Sequence, residues 1–352
     1  MTTATRTRRR RVLTVLACLL LGPPLWNVVV TEVRLQRHPP PGAFYDVDGR
    51  PMYLYCVGSG SPAVVIESAL SSDSFGWYGV QASLARTTTV CAYDRSGLGF
   101  SAPRPRPRDA EAISRQLHTL LDRAGVPRPF VAMGWSAGGL YVREYARAFP
   151  DDLSGLVLVD ASVPGQLDVL EGARASYDAE TQTLPRAYWW ERVRTWLGWE
   201  RLRGRCWNGP ASDVLAVLSP SEAARLSALY VAKTCRPDFI GGELGELLDF
   251  ERSSAQAARL QTFGPRPLLV ITEDPDSVPP TATPAETANK RIWSAEQERL
   301  KALSPQSWRV IARRAGHAIH HDRPDVIVSQ VEVLIAFLRG GPPPPFGATV
   351  RQ

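Results

Sequence analysis

Short runs of consecutive apolar residues alternate with stretches of helical spacing along most of this chain. Ala63-Val64-Val65-Ile66-Glu67, Pro129-Phe130-Val131-Ala132-Met133, Leu156-Val157-Leu158-Val159-Asp160 and Pro267-Leu268-Leu269-Val270-Ile271-Thr272 are near-continuous apolar runs. Such runs suit strands buried on both faces of a parallel sheet. Residues 308–312 are a further strand-like run. Residues 108–124 predict a helix with Ile113, Leu117, Leu120 and Leu121 on one face, and residues 140–149 predict another, stopped by Pro150. Phe44-Tyr45-Asp46-Val47, then Asp48-Gly49, then residues 51–57 read as a hairpin with an Asp-Gly turn. Strands alternating with helices predict an α/β fold. From about residue 164 to 264 the helical spacing continues with no clear strand.

The N-terminus departs from this rhythm. Five arginines (Arg6, Arg8, Arg9, Arg10 and Arg11) precede Val12 to Val30, nineteen residues without a charge. At ~1.5 Å per residue that run spans roughly 28 Å, one hydrocarbon core. The positive-inside rule then keeps the arginines in the cytoplasm and sends the rest of the chain across the membrane. A cleaved signal peptide is the rival reading, with Val12 to Leu21 as its apolar region and Gly22-Pro23-Pro24 as its end. That reading predicts a secreted protein. No small-residue cleavage site follows, however, and the apolar run resumes, so an uncleaved anchor over residues 1–30 is the expectation. Residues 31–42, with Pro39-Pro40-Pro41, read as a polar tether.

At 352 residues and 44% apolar composition, the chain can hold one large α/β domain with an inserted subdomain. The net charge of +6 comes almost wholly from the five N-terminal arginines; without them 36 basic residues face 35 acidic ones. That balance argues against a nucleic-acid partner. Apart from Cys18 in the apolar run, four cysteines remain, Cys56, Cys91, Cys206 and Cys235. An even number agrees with an exported domain, while four unrelated buried thiols are the alternative.

The most informative stretch is Gly134-Trp135-Ser136-Ala137-Gly138-Gly139. An apolar strand precedes it and a helix follows, so Ser136 falls on a sharp strand-to-helix turn with small residues two positions either side. With Thr89-Val90-Cys91-Ala92-Tyr93-Asp94-Arg95-Ser96-Gly97-Leu98-Gly99-Phe100-Ser101 before it and Ala315-Gly316-His317 near the C-terminus, the chain resembles the α/β-hydrolase family, in its esterase and proline iminopeptidase-like branch. The resemblance covers about residues 43 to 338. It implies a mostly parallel eight-stranded sheet with helices on both faces and a helical cap inserted after strand six. Core segments would be 43–163 and 265–339, the cap 164–264, and 340–352 a disordered tail. In the family's sheet the strands carrying Cys56 and Cys91 are neighbours, which implies a Cys56–Cys91 bridge and leaves Cys206 to pair with Cys235. Tyr188-Trp189-Trp190, Trp196 and Trp199 crowd the cap, either packing it onto the core or forming an apolar substrate wall or a face toward a bilayer.

A serine hydroxyl needs a base to take its proton as it attacks. Of five histidines, His38 lies in the tether and His118 mid-helix, while His317, His320 and His321 follow the last strand. The resemblance assigns the base to His317 and leaves His320 and His321 in supporting places. The acid stays open between Asp276, Asp160 and Asp274. Asp276 stands closest to the family's usual offset after strand seven, and Asp160 ends strand six. The resemblance implies oxyanion donors at the backbone N–H groups of Ala137 and Leu70, with Ser68-Ala69-Leu70 standing where the family has His-Gly-x. No metal or cofactor site is expected: His320-His321-Asp322 lacks zinc spacing, and there is no C-x-x-C or phosphate loop. The expected function is hydrolysis of a small-molecule carboxylic ester through an acyl-enzyme. Peptide or amide cleavage is the alternative within the fold, and a non-catalytic membrane-tethered binding protein the alternative outside it.

Overall fold

A computed structural model describes residues 3–204, 206 and 219–352. Nine strands form one sheet: β1 Ala43–Val47, β2 Arg50–Val57, β3 Val64–Glu67, β4 Val90–Tyr93, β5 Phe130–Trp135, β6 Leu153–Val159, β7 Leu268–Thr272, β8 Ser307–Ile311 and β9 Thr349–Arg351. Their order is β1-β2-β4-β3-β5-β6-β7-β8-β9. The β1–β2 and β2–β4 pairs are antiparallel and every later pair is parallel. β3, β4, β7 and β8 are buried at every position, as strands covered on both faces of a parallel sheet are, with Glu67, Thr272, Ser307 and Arg309 buried among their apolar residues. Because β3 to β8 run the same way, their C-terminal ends meet at one edge, where ligands bind in open α/β sheets.

Helices cover both faces: α2 Tyr78–Leu84, α3 Ala110–Ala124 and α4 Gly138–Ala148 before the insertion, and α11 Pro284–Arg299, α12 Ile319–Asp322 and α13 Pro324–Leu338 after it. Between β6 and β7 stand α5 Gln166–Val169, α6 Ala173–Trp196, α7 Trp199–Leu202, α8 Pro220–Thr234, α9 Pro237–Leu248 and α10 Phe250–Ala257. Part of this cap, 205 and 207–218, lies outside the described residues.

The α3 helix shows how core and cap interlock. Its face of Ile113, Leu117, Leu120 and Leu121 is buried, Asp109 caps it by accepting the Ala112 N–H, and Gly125 ends it at φ +65°. Its remaining N-terminal donors are met by the cap: Ala110 N–H donates to Ser253 Oγ (3.1 Å) and Glu111 N–H to Gln256 Oε1 (3.0 Å).

Two disulfides are formed. Cys56 and Cys91 stand directly opposite each other in the β2–β4 register, and Cys206 pairs with Cys235.

Three expectations need correction. The sheet has nine strands rather than eight, because residues 349–351 add β9 beside β8. The tail is therefore not disordered; Phe346 packs on Trp308 and Phe337 and fixes the chain behind its proline run. The expected tether is helical through its first seven residues, since α1 runs Thr3–Arg37 with Pro23 and Pro24 inside it. Its C-terminal half is held to the cap. Asn27 and Thr31 are buried, and Asn27 Nδ2 donates to the carbonyls of Thr195 (2.9 Å) and Cys235 (3.2 Å). Arg201 donates to Asn27 Oδ1 (2.7 Å) and Thr31 Oγ1 (2.5 Å).

Candidate active site

The β5–α4 turn places Ser136 at the C-terminal edge of the sheet with φ +53°. That is a left-handed conformation few side chains adopt, stored here in a turn between strand and helix. Its N–H donates to Val159 O (3.2 Å), and its carbonyl accepts the N–H groups of Gly139 (2.9 Å) and Ser162 (2.8 Å). Two glycines make the turn sterically feasible. A Cβ on Gly134 would stand 2.5 Å from Gly138 O, and one on Gly138 would stand 2.4 Å from Glu67 O. Ala137 opens α4 and is buried.

Trp135 pairs with Val159 in the β5–β6 register, so Ser136 and Asp160 leave neighbouring strand ends side by side. Asp160 is fully buried, also at positive φ (+40°). Its Oδ1 accepts the Glu273 N–H and Trp293 Nε1–H, each at 3.0 Å. Its Oδ2 lies 2.6 Å from His317 Nδ1. The His317 loop is held by Trp135 Nε1–H donating to the His317 carbonyl (2.9 Å) and by Gly316 N–H donating to Asp322 Oδ2 (2.7 Å).

The His317 ring is 48% exposed. Partial burial pulls its pKa down, but the hydrogen bond and charge of Asp160, with Glu273 adding to them, outweigh burial and raise it above the ordinary histidine value. Burial and the charge of Asp160 in turn raise Glu273, against the pull of Lys290, whose Nζ donates to Glu273 Oε2 at 3.0 Å.

The other two acids are not brought to this imidazole. Asp276 is exposed and accepts Arg351 Nη1 of β9 at 2.6 Å. Asp274 Oδ1 accepts the Asp276 N–H (3.1 Å) and its Oδ2 the Arg314 N–H (2.9 Å), folding the loop back on itself. Of the three candidate acids left open by the sequence, Asp160 rather than the preferred Asp276 lies within hydrogen-bond distance of His317. Asp276 instead faces Arg351 of β9, while the Glu273 N–H and Trp293 Nε1–H hold Asp160 beside the imidazole.

Leu70 is partly buried against an apolar cluster that includes Tyr177 and Phe250 of the cap and Tyr141 of α4. Its loop, lacking the glycine of the family motif, is shaped by a buried arginine. Arg95 Nη1 donates to Ser68 O (2.9 Å) and Nη2 to Ala69 O (2.7 Å) and Ser72 O (3.3 Å). Its Nε and Nη2 form a fork with Glu246 of α9, each at 2.8 Å, and Nη1 reaches Glu67 at 2.7 Å. Glu246 also accepts the Ser71 N–H at 3.2 Å and Arg108 Nη2 at 3.2 Å. Burial pushes Glu67 up to about 7, against the charge of Arg95 and the hydroxyl of Tyr93. Glu246 stays below the ordinary carboxylate range because the charge and hydrogen bonds of Arg95, with Arg108, outweigh its burial. Neither Arg95 nor Glu246 was singled out from sequence. Arg95 sits inside the Asp94–Ser101 turn motif, which was a signal; Glu246 carried none.

His320 is buried with its ring stacked on Trp77 at 4.6 Å, and burial with the nearby His321 and His317 keeps its pKa far below the usual range. It stays neutral.

Two cavities flank the site. One, about 440 Å³, lies between core and cap and is lined by Ser71, Trp77 and His320 below and Glu191, Glu200 and Glu243 above. Burial, then the neighbouring Glu191, pushes Glu243 up to about 8. The other, about 570 Å³, borders Asp160 and His317 and is walled by Leu170, Val278, Pro279 and Trp293.

Residues 58–330 match the model of the "Alpha/beta hydrolase family". RutD of Cronobacter sakazakii, named as a carbamate hydrolase, is 31% identical over 134 residues, 37% of this chain and 48% of that protein. Among eight curated relatives, the matches span 33% to 63% of the relatives' own length. Of solved structures, Cfl2 from Burkholderia cenocepacia superposes with a TM-score of 0.60 at 21% identity, over 84% of this chain and 95% of that one. A thermophilic esterase from Thermogutta terrifontis gives a TM-score of 0.55 at 18% identity, over 85% and 98%. At these identities the superpositions establish the fold.

Proposed function

We propose that this chain, which belongs to the alpha/beta hydrolase family, is a hydrolase that cleaves carboxylic esters through an acyl-enzyme, with Ser136 as nucleophile, His317 as base and Asp160 as acid. One observation carries the reading: the buried carboxylate of Asp160, 2.6 Å from His317 Nδ1, stands at the strand end beside the Ser136 turn. A carboxylate on Nδ1 holds the tautomer that leaves Nε2 as acceptor, and stabilises the imidazolium formed when the serine proton moves. Ser136 Oγ attacks the ester carbonyl while His317 Nε2 takes its proton. The N–H groups of Ala137 and Leu70 receive the developing oxyanion, and His317 returns the proton to the leaving alkoxide. Water, deprotonated by His317, then attacks the acyl-enzyme and releases the acid.

Labelling with a fluorophosphonate followed by peptide mass spectrometry tests this reading. Modification at Ser136 supports it, and an unlabelled Ser136 in folded protein overturns it. The three glutamates over the core–cap cavity favour a second reading, an aminoacyl substrate whose cation they would meet, with amide cleavage as the outcome. A panel of p-nitrophenyl esters beside aminoacyl anilides separates the two.

The same proposal places the domain outside the membrane, anchored by α1. Residues 9–37 of that helix are long and apolar enough to cross a bilayer, and Val12, Leu13, Val15, Leu20, Leu21 and Leu25 are exposed. The two disulfides fit an oxidising compartment.

A further inference from the structure

The cap touches α1 at a revealing height. Trp26 and Asn27 belong to the uncharged run that ends at Thr31, before Glu32. Asn27 donates to the Thr195 carbonyl, and a Cβ on Gly198 would meet the Trp26 ring at 3.1 Å. The joint between α6 and α7 is therefore fastened to α1 four residues before its uncharged run ends, about one helical turn by ~1.5 Å per residue. Large apolar side chains flank this joint in solvent. Trp196 is 47% exposed, Trp199 44% and Leu202 66%. Trp189 stands two helical turns before Trp196 on the same helix and is also exposed. The Arg203 guanidinium lies 4.6 Å over the Trp199 ring.

Resting on the anchoring reading above, we propose that Trp196, Trp199 and Leu202 are seated in the headgroup layer of the bilayer that α1 crosses. The height of the joint decides the occupant. If α1 crosses with residues 12–30 in hydrocarbon, side chains fixed beside residues 26 and 27 stand at the boundary between acyl chains and headgroups. Tryptophan is favoured there, because its apolar ring and polar N–H match the two sides of that boundary. Arg203 stacked on Trp199 can reach lipid phosphate while its stem lies along the ring. Thr195 and Glu200 of the same two helices also line the core–cap cavity, so one layer of helix separates that cavity from the seated surface.

The test uses the full chain in phosphatidylcholine–phosphatidylglycerol vesicles, with Cys18→Ser removing the free thiol. An environment-sensitive fluorophore is attached at Leu202→Cys and, separately, at Leu21→Cys in the exposed part of α1 and Arg123→Cys on the far end of α3. Trp199→Cys replaces the first should it misfold, and Ser136 labelling checks each variant for an intact core. The expected result is a blue-shifted label at residue 202, quenched more by doxyl lipid labelled near the headgroup than at the chain end, with residue 123 unchanged. An unshifted, unquenched label at residue 202 beside a quenched one at residue 21 overturns the seated surface and leaves the anchor standing. If residue 21 is also unquenched, the anchoring reading fails and the proposal falls with it.

Discussion

Asp160 reaches His317 from the end of β6, its Oδ2 2.6 Å from Nδ1, while its other oxygen is taken by Glu273 and Trp293. Both oxygens are committed, so the carboxylate cannot rotate away, and the imidazole inherits that fixity. The acid's identity can be decided by paired variants. Asp160→Asn should lower kcat/KM by up to ~10⁴, since an amide favours the wrong tautomer. Asp276→Asn should change it less than threefold, because its partner is Arg351. Steady-state kinetics on one p-nitrophenyl ester measure both, and the reverse ranking would return the acid to the β7 loop.

The raised pKa of His317 fixes the direction of the pH profile. The base acts when neutral, so kcat/KM should rise with pH through a value above the ordinary histidine range. Glu273 contributes to that elevation through its charge. Removing the charge in Glu273→Gln makes the imidazolium less favourable, so the acidic limb should move to lower pH. A limb that stays in place would mean that Glu273 is screened from the ring.

Arg95 holds three carbonyls of the loop carrying Leu70. Arg95→Lys cannot form the fork to Glu246 and still bind those carbonyls, and should cut kcat by up to ~10² with KM little changed. A thionoester, whose sulfur fits an oxyanion site poorly, separates position from folding. The preference for oxygen ester over thionoester should collapse in the variant, whereas simple loss of folded protein would lower both rates together.

The disulfide Cys56–Cys91 closes a loop with a sequence separation of 35. Chain entropy puts its contribution at about 4 kcal/mol. Cys56→Ser with Cys91→Ser should therefore lower the melting temperature by many degrees while leaving Ser136 labelling intact at low temperature, as differential scanning fluorimetry would register.

The strands β3, β5, β6, β7 and β8 were readable because each is an apolar run bounded by turn residues, and the Ser136 turn because its glycines have no other use at that spacing. His317 was singled out from its neighbours His320 and His321 by the family resemblance. The carboxylate beside His317 was not legible, because only the folded chain shows Asp160 Oδ2 2.6 Å from Nδ1 and Asp276 turned to Arg351. A strand as short as Thr349–Arg351, behind four prolines, has no periodicity to read. Helix α1 continuing to Arg37 was equally hidden, since its last turns are kept by Asn27, Thr31 and the cap rather than by their own pattern.

Glu246 has a consequence for how the molecule admits its substrate. It stands on the insertion, yet its partners Arg95, Arg108 and the Ser71 N–H all belong to the sheet domain. Swinging the insertion away would strand the Glu246 carboxylate and take the ion-pair partner from Arg108, while Arg95 would keep Glu67; leaving one such buried charge without its partner costs several kcal/mol. The insertion therefore behaves as masonry, not as a door. Held this way, the insertion should stay seated while substrate enters, and heat should melt both parts in one transition.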